Sequence, residues 1–329
     1  MLRDLPPHDK AGVYSDGLVR AVRGVVALLV LASPLALAPS STAAAALGCH
    51  PVTGGYRCVY GPFSVDYGSN LFTEPADAPP VAGYVTSAQA TLVFGDGKPI
   101  PHHRVHLHHA VWANLAEQDM TCATLPERFF ATGKERTPVQ LPPGHGYYWS
   151  REPPLVAPMY PPYWFMVAEL DGGHPGETVD AYVQLDLGFA EVPEGSMTNV
   201  EPVWLDVRNC LSDPVFDVPR RPKRPRFRER WTYTMPVGGE LVALAGHLHD
   251  GGVKITLTDV ASGGRVFVSK ALYEKRKRPW YLTRMTSFAG VPGKTVAAGD
   301  TLLLTAVYNS ARRWTDVMGI MLGMLVPAP

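Results

Sequence analysis

Short apolar runs interrupted by glycine and proline occur along most of this 329-residue chain. The sequence holds 31 glycines and 32 prolines, which are spread throughout rather than gathered in one segment. Residues 253–259 alternate apolar and polar side chains, residues 300–308 are mainly apolar as in a buried strand, and no stretch shows a helical period longer than two turns. Such short runs bounded by turn residues are typical of β-strands. The sequence therefore predicts an all-β protein made of packed antiparallel sheets.

A proline-rich, strongly basic stretch at residues 216–230 separates two sets of predicted strands. Proline lacks an amide donor and fixes φ, so this stretch cannot lie in the interior of a sheet. We predict an extended linker between an N-terminal domain (49–215) and a C-terminal domain (231–329). A contact with a polyanion and a processing site are alternative roles for the stretch. The formal net charge of the chain is zero, and we predict no nucleic-acid partner.

The amino terminus, residues 1–48, is predicted to be a secretory signal peptide. Arg20 and Arg23 precede an apolar stretch at 24–38, and small residues at 40–46 offer a cleavage site. The apolar stretch is too short to span a bilayer, so we predict Sec-type export without a stable membrane span. Lipoprotein attachment at Cys49 is a less favoured alternative, because Cys49 lies well beyond the apolar stretch.

Four cysteines follow the predicted signal peptide: Cys49, Cys58, Cys122 and Cys210. An even number of cysteines in an exported chain favours two disulfides, and four cysteines allow three pairings. We favour Cys49–Cys58, which are close in sequence, and therefore Cys122–Cys210. The alternative, thiolate ligation of a metal, is less favoured because no C-x-x-C spacing occurs.

Seven of the eleven histidines lie in two short stretches, residues 101–109 and 247–249. In a strand, side chains two residues apart leave the same face, so His247 and His249 should point the same way and supply half of a metal site. Upstream, His106 and His108 share a face by the same rule. The adjacent His108 and His109 can bind one metal only if the strand bulges or ends there. The alternative is a histidine-rich strand that faces solvent.

Three methionines lie on the predicted terminal strand, at Met318, Met321 and Met324. Met318 and Met324 share a face, and Met321 points the other way. A thioether is a soft ligand that favours Cu(I) over Zn(II), although methionine more often fills a core. One methionine with His247 and His249 would make a copper site.

Four motifs in this order carry a family resemblance: residues 105–109 (VHLHH), 142–146 (PPGHG), 245–252 (AGHLHDGG) and 308–319 (YNS…DVMG). Together they resemble the type II copper, ascorbate-dependent monooxygenases, namely peptidylglycine α-hydroxylating monooxygenase and dopamine β-monooxygenase. They are closer still to the stress-up-regulated nodulin group of plants. The resemblance covers residues 80–326.

This resemblance implies two jelly-roll-like β-sandwiches with one copper on each. His247, His249 and Met318 would bind the oxygen-activating copper, and His108 and His109 the electron-transfer copper. Ascorbate would reduce both, and oxygen would then hydroxylate a C–H bond of a small-molecule or peptide substrate. The resemblance assigns no catalytic residue beyond the metal ligands, and the sequence leaves the oligomeric state open.

One departure from the family concerns the electron-transfer site. Its third histidine is missing, and Ala168 or Glu169 stands in its place. Glu169, His106 and His145 are the candidates to complete the site. A secreted, non-catalytic copper-binding or copper-buffering protein with one intact site is therefore the alternative function, and a β-sandwich binding module with zinc or no metal is a third.

Overall fold

The computed structural model describes residues 46–150, 164–210, 214–274 and 282–329. Within these ranges the chain forms strands joined by turns and loops, and no helix occurs. Accordingly, none of the described residues belongs to a helix long and apolar enough to cross a membrane. Residues 1–45, which include nearly all of the predicted signal peptide, lie outside the described ranges.

The strands are numbered in chain order. Those of the first part are β1 (Gly48–Val52), β2 (Gly55–Val65), β3 (Gly68–Ala76), β4 (Gly83–Val93), β5 (Val105–Gln118), β6 (Pro126–Gly133), β7 (Val139–Gln140), β8 (His145–Trp149), β9 (Trp164–Gly172), β10 (Val179–Ala190) and β11 (Thr198–Asn199). Those of the second part are β12 (Glu201–Asp206), β13 (Phe216–Val218), β14 (Phe227–Thr234), β15 (Gly239–Leu248), β16 (Gly252–Asp259), β17 (Arg265–Tyr273), β18 (Leu282–Met285), β19 (Ser287–Val296), β20 (Thr301–Tyr308), β21 (Trp314–Val317) and β22 (Gly319–Pro327).

Two sheets enclose the first hydrophobic core. One has the order β1-β2-β10-β4-β8-β11, with β7 beside β4, and the other has the order β3-β9-β5-β6. Their facing sides bury large aromatic side chains, among them Trp112, Trp149 and Trp164. Alternation along β10 and β9 supplies every second side chain to this core, as expected for strands with one face buried. The all-β sandwich prediction is confirmed.

A second core lies between the sheet β12-β22-β15-β19, here called the middle sheet, and the five-stranded sheet β14-β20-β16-β17-β18. Apart from its edge strand β19, the middle sheet is buried on both faces. Along β22, Ile320, Leu322 and Met324 pack into the first core, whereas Met321 and Leu325 pack into the second. This explains the continuous apolar run at the end of the sequence. It also means that alternate side chains of β15 point toward the first pair of sheets.

The predicted boundary between the domains can be compared with the strand pairing. β12 precedes the predicted boundary at residue 215, yet it pairs with β22, the last strand of the chain. Strand β13 and the first residues of β14 lie within the predicted linker, and β14 is an edge strand that pairs with β20. The prolines at 219, 222 and 225 precede β14 and so lie outside the sheet. The division into two domains stays a prediction.

Both predicted disulfides are present. Cys49–Cys58 joins the paired strands β1 and β2. Cys122–Cys210 joins the loop after β5 to the turn after β12, across 88 residues of sequence. The second bridge therefore ties the first pair of sheets to the middle sheet.

A buried hydrogen-bond chain links β5, β8 and β6. The Asn114 side-chain amide donates to the Tyr147 hydroxyl at 2.9 Å, and this hydroxyl donates to the Glu127 carboxylate. Burial raises the pKa of Glu127 to about 7. Because the proton binds more tightly in the folded state, this group stabilises the fold fully below its unfolded pKa, and that contribution is lost as the pH rises through about 7.

Replacing Glu127 with glutamine should remove this pH dependence. Between pH 4.5 and 7, the free energy of unfolding of the unaltered chain should fall by about 2 kcal/mol relative to that of Glu127→Gln, since other titrating groups contribute equally to both. Urea denaturation at a series of pH values measures both. Glu194→Gln, at an exposed turn, is the control and should keep the unaltered profile. Equal slopes for the two variants would contradict the assignment.

Candidate metal centre

A β-bulge in β5 brings His108 and His109 to one carboxylate. Leu107 pairs with Leu170 and His109 pairs with Glu169, which leaves His108 as the extra residue. A bulge bends the strand and turns adjacent side chains toward a common side. His108 Nδ1 lies 3.0 Å from one Glu169 oxygen, and His109 Nδ1 lies 3.3 Å from the other. The strand bulge that a site shared by His108 and His109 requires is therefore present.

These three side chains form what we call the Nδ1 subsite. One ligand atom from each of His108, His109 and Glu169 lies within 4.8 Å of the others. The Nδ1 atoms of His108 and His109 are buried, and neither has a partner with hydrogen-bond geometry. Nitrogen and oxygen atoms about 3 Å apart can surround one metal ion, since metal–nitrogen distances are about 2 Å. The Ser69 hydroxyl donates to Glu169 and orients it.

His247 and His249 present their Nε2 atoms and form what we call the Nε2 subsite. His247 Nδ1 lies 2.9 Å from Glu135 Oε1, and His249 Nδ1 lies 3.3 Å from His108 Nε2. The Nε2 atoms of both rings are buried without a hydrogen-bond partner. An imidazole held through one nitrogen offers the other to a metal, and a carboxylate partner is typical of metal-binding histidines.

Gly133 gives His247 the space it occupies. A Cβ at this position would lie 2.5 Å from His247 Cε1 and 2.7 Å from Glu135 Oε2, which is closer than a Cβ atom normally lies to a non-bonded heavy atom. Glycine is therefore required at the end of β6 for His247 and Glu135 to meet. Nothing in the sequence pointed to Gly133 or Glu135, because neither belongs to a recognisable motif and both lie far in sequence from His247.

A buried tyrosine links the second histidine pair to the predicted thioether ligand. The backbone amide of His249 donates to the Tyr308 hydroxyl at 2.9 Å, and this hydroxyl donates to the carbonyl of Met318. Met318 lines the same cavity as His247. Met321 packs in the second core, and Met324 packs in the first core without lining that cavity. Of the three methionines, Met318 is therefore the one that shares a cavity wall with His247.

The two histidine stretches meet in one continuous cluster. Ring centroids are 5.4 Å apart for His108 and His109, 4.5 Å apart for His108 and His249, and 5.1 Å apart for His247 and His249. Although the family resemblance implied one site on each sandwich, the structure places the four imidazoles in contact, because β15 faces the sheet that carries β5.

The structure distinguishes among the residues that could be the third ligand beside His108 and His109. His106 lies near the cluster, but its Nε2 is 2.7 Å from Asp171. His145 begins β8 in the other sheet, where its Nδ1 lies 3.0 Å from the Pro143 carbonyl. Ala168 is fully buried in the first core. Glu169 is therefore the residue beside His108 and His109.

Burial and neighbouring charges shift the pKa values of the side chains in the cluster. Burial, with further contributions from the other imidazoles, lowers the pKa of His249 well below its usual value and that of His109 to about 4. Contact with His108 lowers the pKa of Glu169 to about 2. For His108 itself, burial favours the neutral ring, but the adjacent carboxylates outweigh it and raise the pKa. Two imidazoles and a carboxylate are therefore unprotonated at neutral pH, as metal ligands must be.

Two cavities flank the cluster. A polar cleft of about 690 Å³ is lined by residues that include His108 and His249. An apolar cavity of about 440 Å³ is lined by residues that include His109, His247 and Met318. Glu169 belongs to the walls of both. The cluster thus has one hydrophilic side and one hydrophobic side.

The chain is similar to probable copper-dependent oxygenases. It is 25% identical over 281 residues to the probable copper-dependent oxygenase M1 of Phoma sp., which covers 77% of this chain and 65% of that protein. It is 26% identical over 228 residues to the probable copper-dependent oxygenase clz3 of Cochliobolus lunatus, which covers 63% of this chain and 64% of that protein. The chain therefore spans just under two thirds of each relative. No family model matches the sequence.

Two solved structures show a weak likeness to this chain. The VP2 subviral particle of infectious bursal disease virus is 11% identical and has a TM-score of 0.22 over 82% of this chain and 71% of that chain. The PBSX exported protein XepA is 8% identical and has a TM-score of 0.21 over 84% and 89% of the two chains. Likenesses at this level carry no argument about fold or function.

Proposed function

We propose that this chain binds copper in the four-histidine cluster and hydroxylates a C–H bond with oxygen and a reductant such as ascorbate. The observation that carries the proposal is the donor set: four imidazoles, with the Met318 thioether on the same cavity wall as His247. Imidazole suits several metals, but a thioether distinguishes copper from zinc. The similarity to two probable copper-dependent oxygenases supports the same metal.

The side chains fit a metal by criteria that do not depend on resemblance. Both Nε2 atoms of the Nε2 subsite are buried and unpartnered, which costs free energy unless a ligand satisfies them. The ring of each of these histidines is held through its other nitrogen by Glu135 or His108. Bound copper would supply oxygen activation and one-electron chemistry, while these side chains fix the ring orientations.

The two subsites are expected to hold one copper each or to share one copper. The contact between His108 Nε2 and His249 Nδ1 links the subsites directly. Glu169 supplies an oxygen donor at the Nδ1 subsite, in the place of the family's third histidine. A carboxylate is a harder ligand than imidazole, so the Nδ1 subsite should bind Cu(II) better than Cu(I).

Metal analysis combined with oxygen consumption tests the proposal. Purified protein should contain one or two coppers per chain and should consume oxygen when ascorbate and a substrate are present. Copper without ascorbate-dependent oxygen uptake across a substrate panel would favour the non-catalytic copper-binding function instead. Zinc alone, or no metal after exposure to Cu(I) and Cu(II), would contradict both functions.

Replacing Met318 with leucine should weaken Cu(I) binding at the Nε2 subsite and leave the fold intact. We expect a loss of at least about tenfold in Cu(I) affinity, since a soft ligand is removed, and a smaller loss for Cu(II). Competition with a chromogenic Cu(I) chelator measures the affinity. Met324→Leu is the matched control, because Met324 is equally buried but lies outside the cavity. Unchanged Cu(I) affinity in Met318→Leu would remove the thioether from the site.

We also propose that the protein acts outside the cytoplasm after removal of a signal peptide. Two disulfides are compatible with an oxidising compartment. Sequencing the amino terminus of protein recovered from the culture medium tests this, and recovery of the chain only from the cytoplasm would contradict it.

A further inference from the structure

We infer that the apolar cavity beside His109 and His247 binds an uncharged, largely hydrocarbon small molecule. This inference deepens the proposed function, on which it rests, by naming the class of substrate. The volume of about 440 Å³ lies within the range of about 300–1,000 Å³ that is usual for small-molecule sites.

The walls of the cavity are mainly apolar. The first pair of sheets, the loop before β6 and the middle sheet contribute the apolar residues Val111, Leu125, Val139, Val167, Trp204 and Ile320. Leu71, 66% exposed, also lines the cavity and marks where it reaches the surface. A hydrocarbon ligand would bury apolar area here, which contributes about 25 cal/mol per Å².

The charged side chains on these walls already have partners. Arg128 donates from Nε to Asp119 at 2.9 Å, and its guanidinium stacks on the ring of Trp204 at 4.3 Å. Glu135 binds His247 through Oε1, and Asp206 accepts a hydrogen bond from the Arg208 amide at 2.7 Å. Arg128 is therefore not free to pair with an anionic ligand. A cationic ligand could approach the unpartnered Glu135 Oε2, but its loss of hydration in a mainly apolar cavity is costly.

The location of the cavity suits oxidation of such a molecule. His109, His247 and Met318 lie on its wall, so a ligand would sit against the cluster from the apolar side. The polar cleft meets the cluster from the other side. A peptide backbone would bring many amide groups into the cavity, more than the few unpartnered polar atoms of its walls, such as Thr132 Oγ1 and Trp204 Nε1, could satisfy.

Binding of three matched probes to the copper-loaded full chain tests the inference. The probes are 4-phenyl-1-butanol, 4-phenylbutyrate and 4-phenylbutylammonium, which share a hydrocarbon body and differ in charge. Titration calorimetry should give an affinity for the alcohol at least about tenfold higher than for either ion. Equal or tighter binding of an ion would overturn the assignment of an uncharged ligand.

A variant that fills the cavity shows where the probe binds. Ala131→Phe places a ring on the cavity wall and should weaken binding of the alcohol by at least about tenfold. Ala116→Phe, at the far end of β5, is the matched control and should change it by less than about twofold. Unchanged binding in Ala131→Phe would overturn the site. If Ala131→Phe does not fold, as judged by thermal unfolding, Val167→Phe replaces it.

The same samples separate this inference from the proposed function. Copper content is measured in each preparation, and the alcohol is also titrated into protein stripped with a chelator. Binding of the alcohol to a chain that takes up no copper would reject the proposed function and keep the cavity assignment. Full copper content without binding of the alcohol would reject the cavity assignment alone.

Discussion

Replacing His249 with alanine is expected to lower the copper affinity of the cluster by at least about 100-fold, which exceeds the usual effect of losing an outer-shell partner. This residue supplies Nε2 to one subsite and contacts, through Nδ1, the His108 ring of the other. Its loss should therefore affect both subsites. Copper titration with a competing chelator measures the affinity, and metal analysis after dialysis measures the number of ions retained.

His145→Ala is the matched control for this prediction. His145 lies in the seven-stranded sheet and contacts the Pro143 carbonyl, so its removal should leave copper binding unchanged. Thermal unfolding of the copper-free variants shows whether His249→Ala has lost its fold rather than its ligand. A folded His249→Ala that binds copper as tightly as the unaltered chain would contradict the assignment of the cluster.

Removing the Cys122–Cys210 disulfide is expected to have the largest effect on stability. A cross-link stabilises a fold mainly by restricting the unfolded chain, and the effect grows with the length of the closed loop. For a separation of 88 residues, the double variant Cys122→Ala/Cys210→Ala should lose about 4–5 kcal/mol in the free energy of unfolding. Urea denaturation under non-reducing conditions measures this loss.

The second disulfide supplies the comparison. Cys49 and Cys58 are only nine residues apart, so removing both should cost about 2–3 kcal/mol. Titration of thiols in denaturant should find none in the unaltered chain. A larger loss from the shorter loop, or two or more free thiols in the unaltered chain, would contradict this account.

A period of two was enough to predict that the rings of His247 and His249 are neighbours, and their centroids lie 5.1 Å apart. Their binding of one metal stays a prediction. The bulge at His108 was beyond prediction, because the register of β5 depends on its pairing with β9, far away in the sequence. From the sequence, we could predict only that His108 and His109 would need a bulge or a strand end to bind one metal. The meeting of the two histidine stretches also depends on tertiary packing, which no local pattern encodes.

Glu135 and Gly133 show the limit of motif-based reasoning. Glu135 is a buried carboxylate that holds His247 across 112 residues of sequence, and Gly133 leaves the space for that contact. Locally, Gly133 looks like an ordinary last residue of a strand and Glu135 like an ordinary residue of the turn that follows. Tyr308 lies within a recognised motif, but its link between His249 and Met318 appears only when three segments of the chain are brought together.

Sequence patterns predicted the buried strands better than the exposed ones. β10, β15, β16 and β20 bury at least one face, and their apolar residues recur with a regular period. Strands β3, β14 and β19 are mostly exposed, so their side chains carry little periodic signal. Because β22 is buried on both faces, its sequence is a continuous apolar run. Such a run predicts a buried strand but does not predict which strands pair with it.

The position of Glu169 between the polar cleft and the apolar cavity has a kinetic consequence. A water-soluble electron donor and an organic substrate would arrive through separate openings, so neither would block the other. Under the proposed function, a high concentration of the organic substrate should therefore not inhibit competitively against the electron donor in initial-rate measurements.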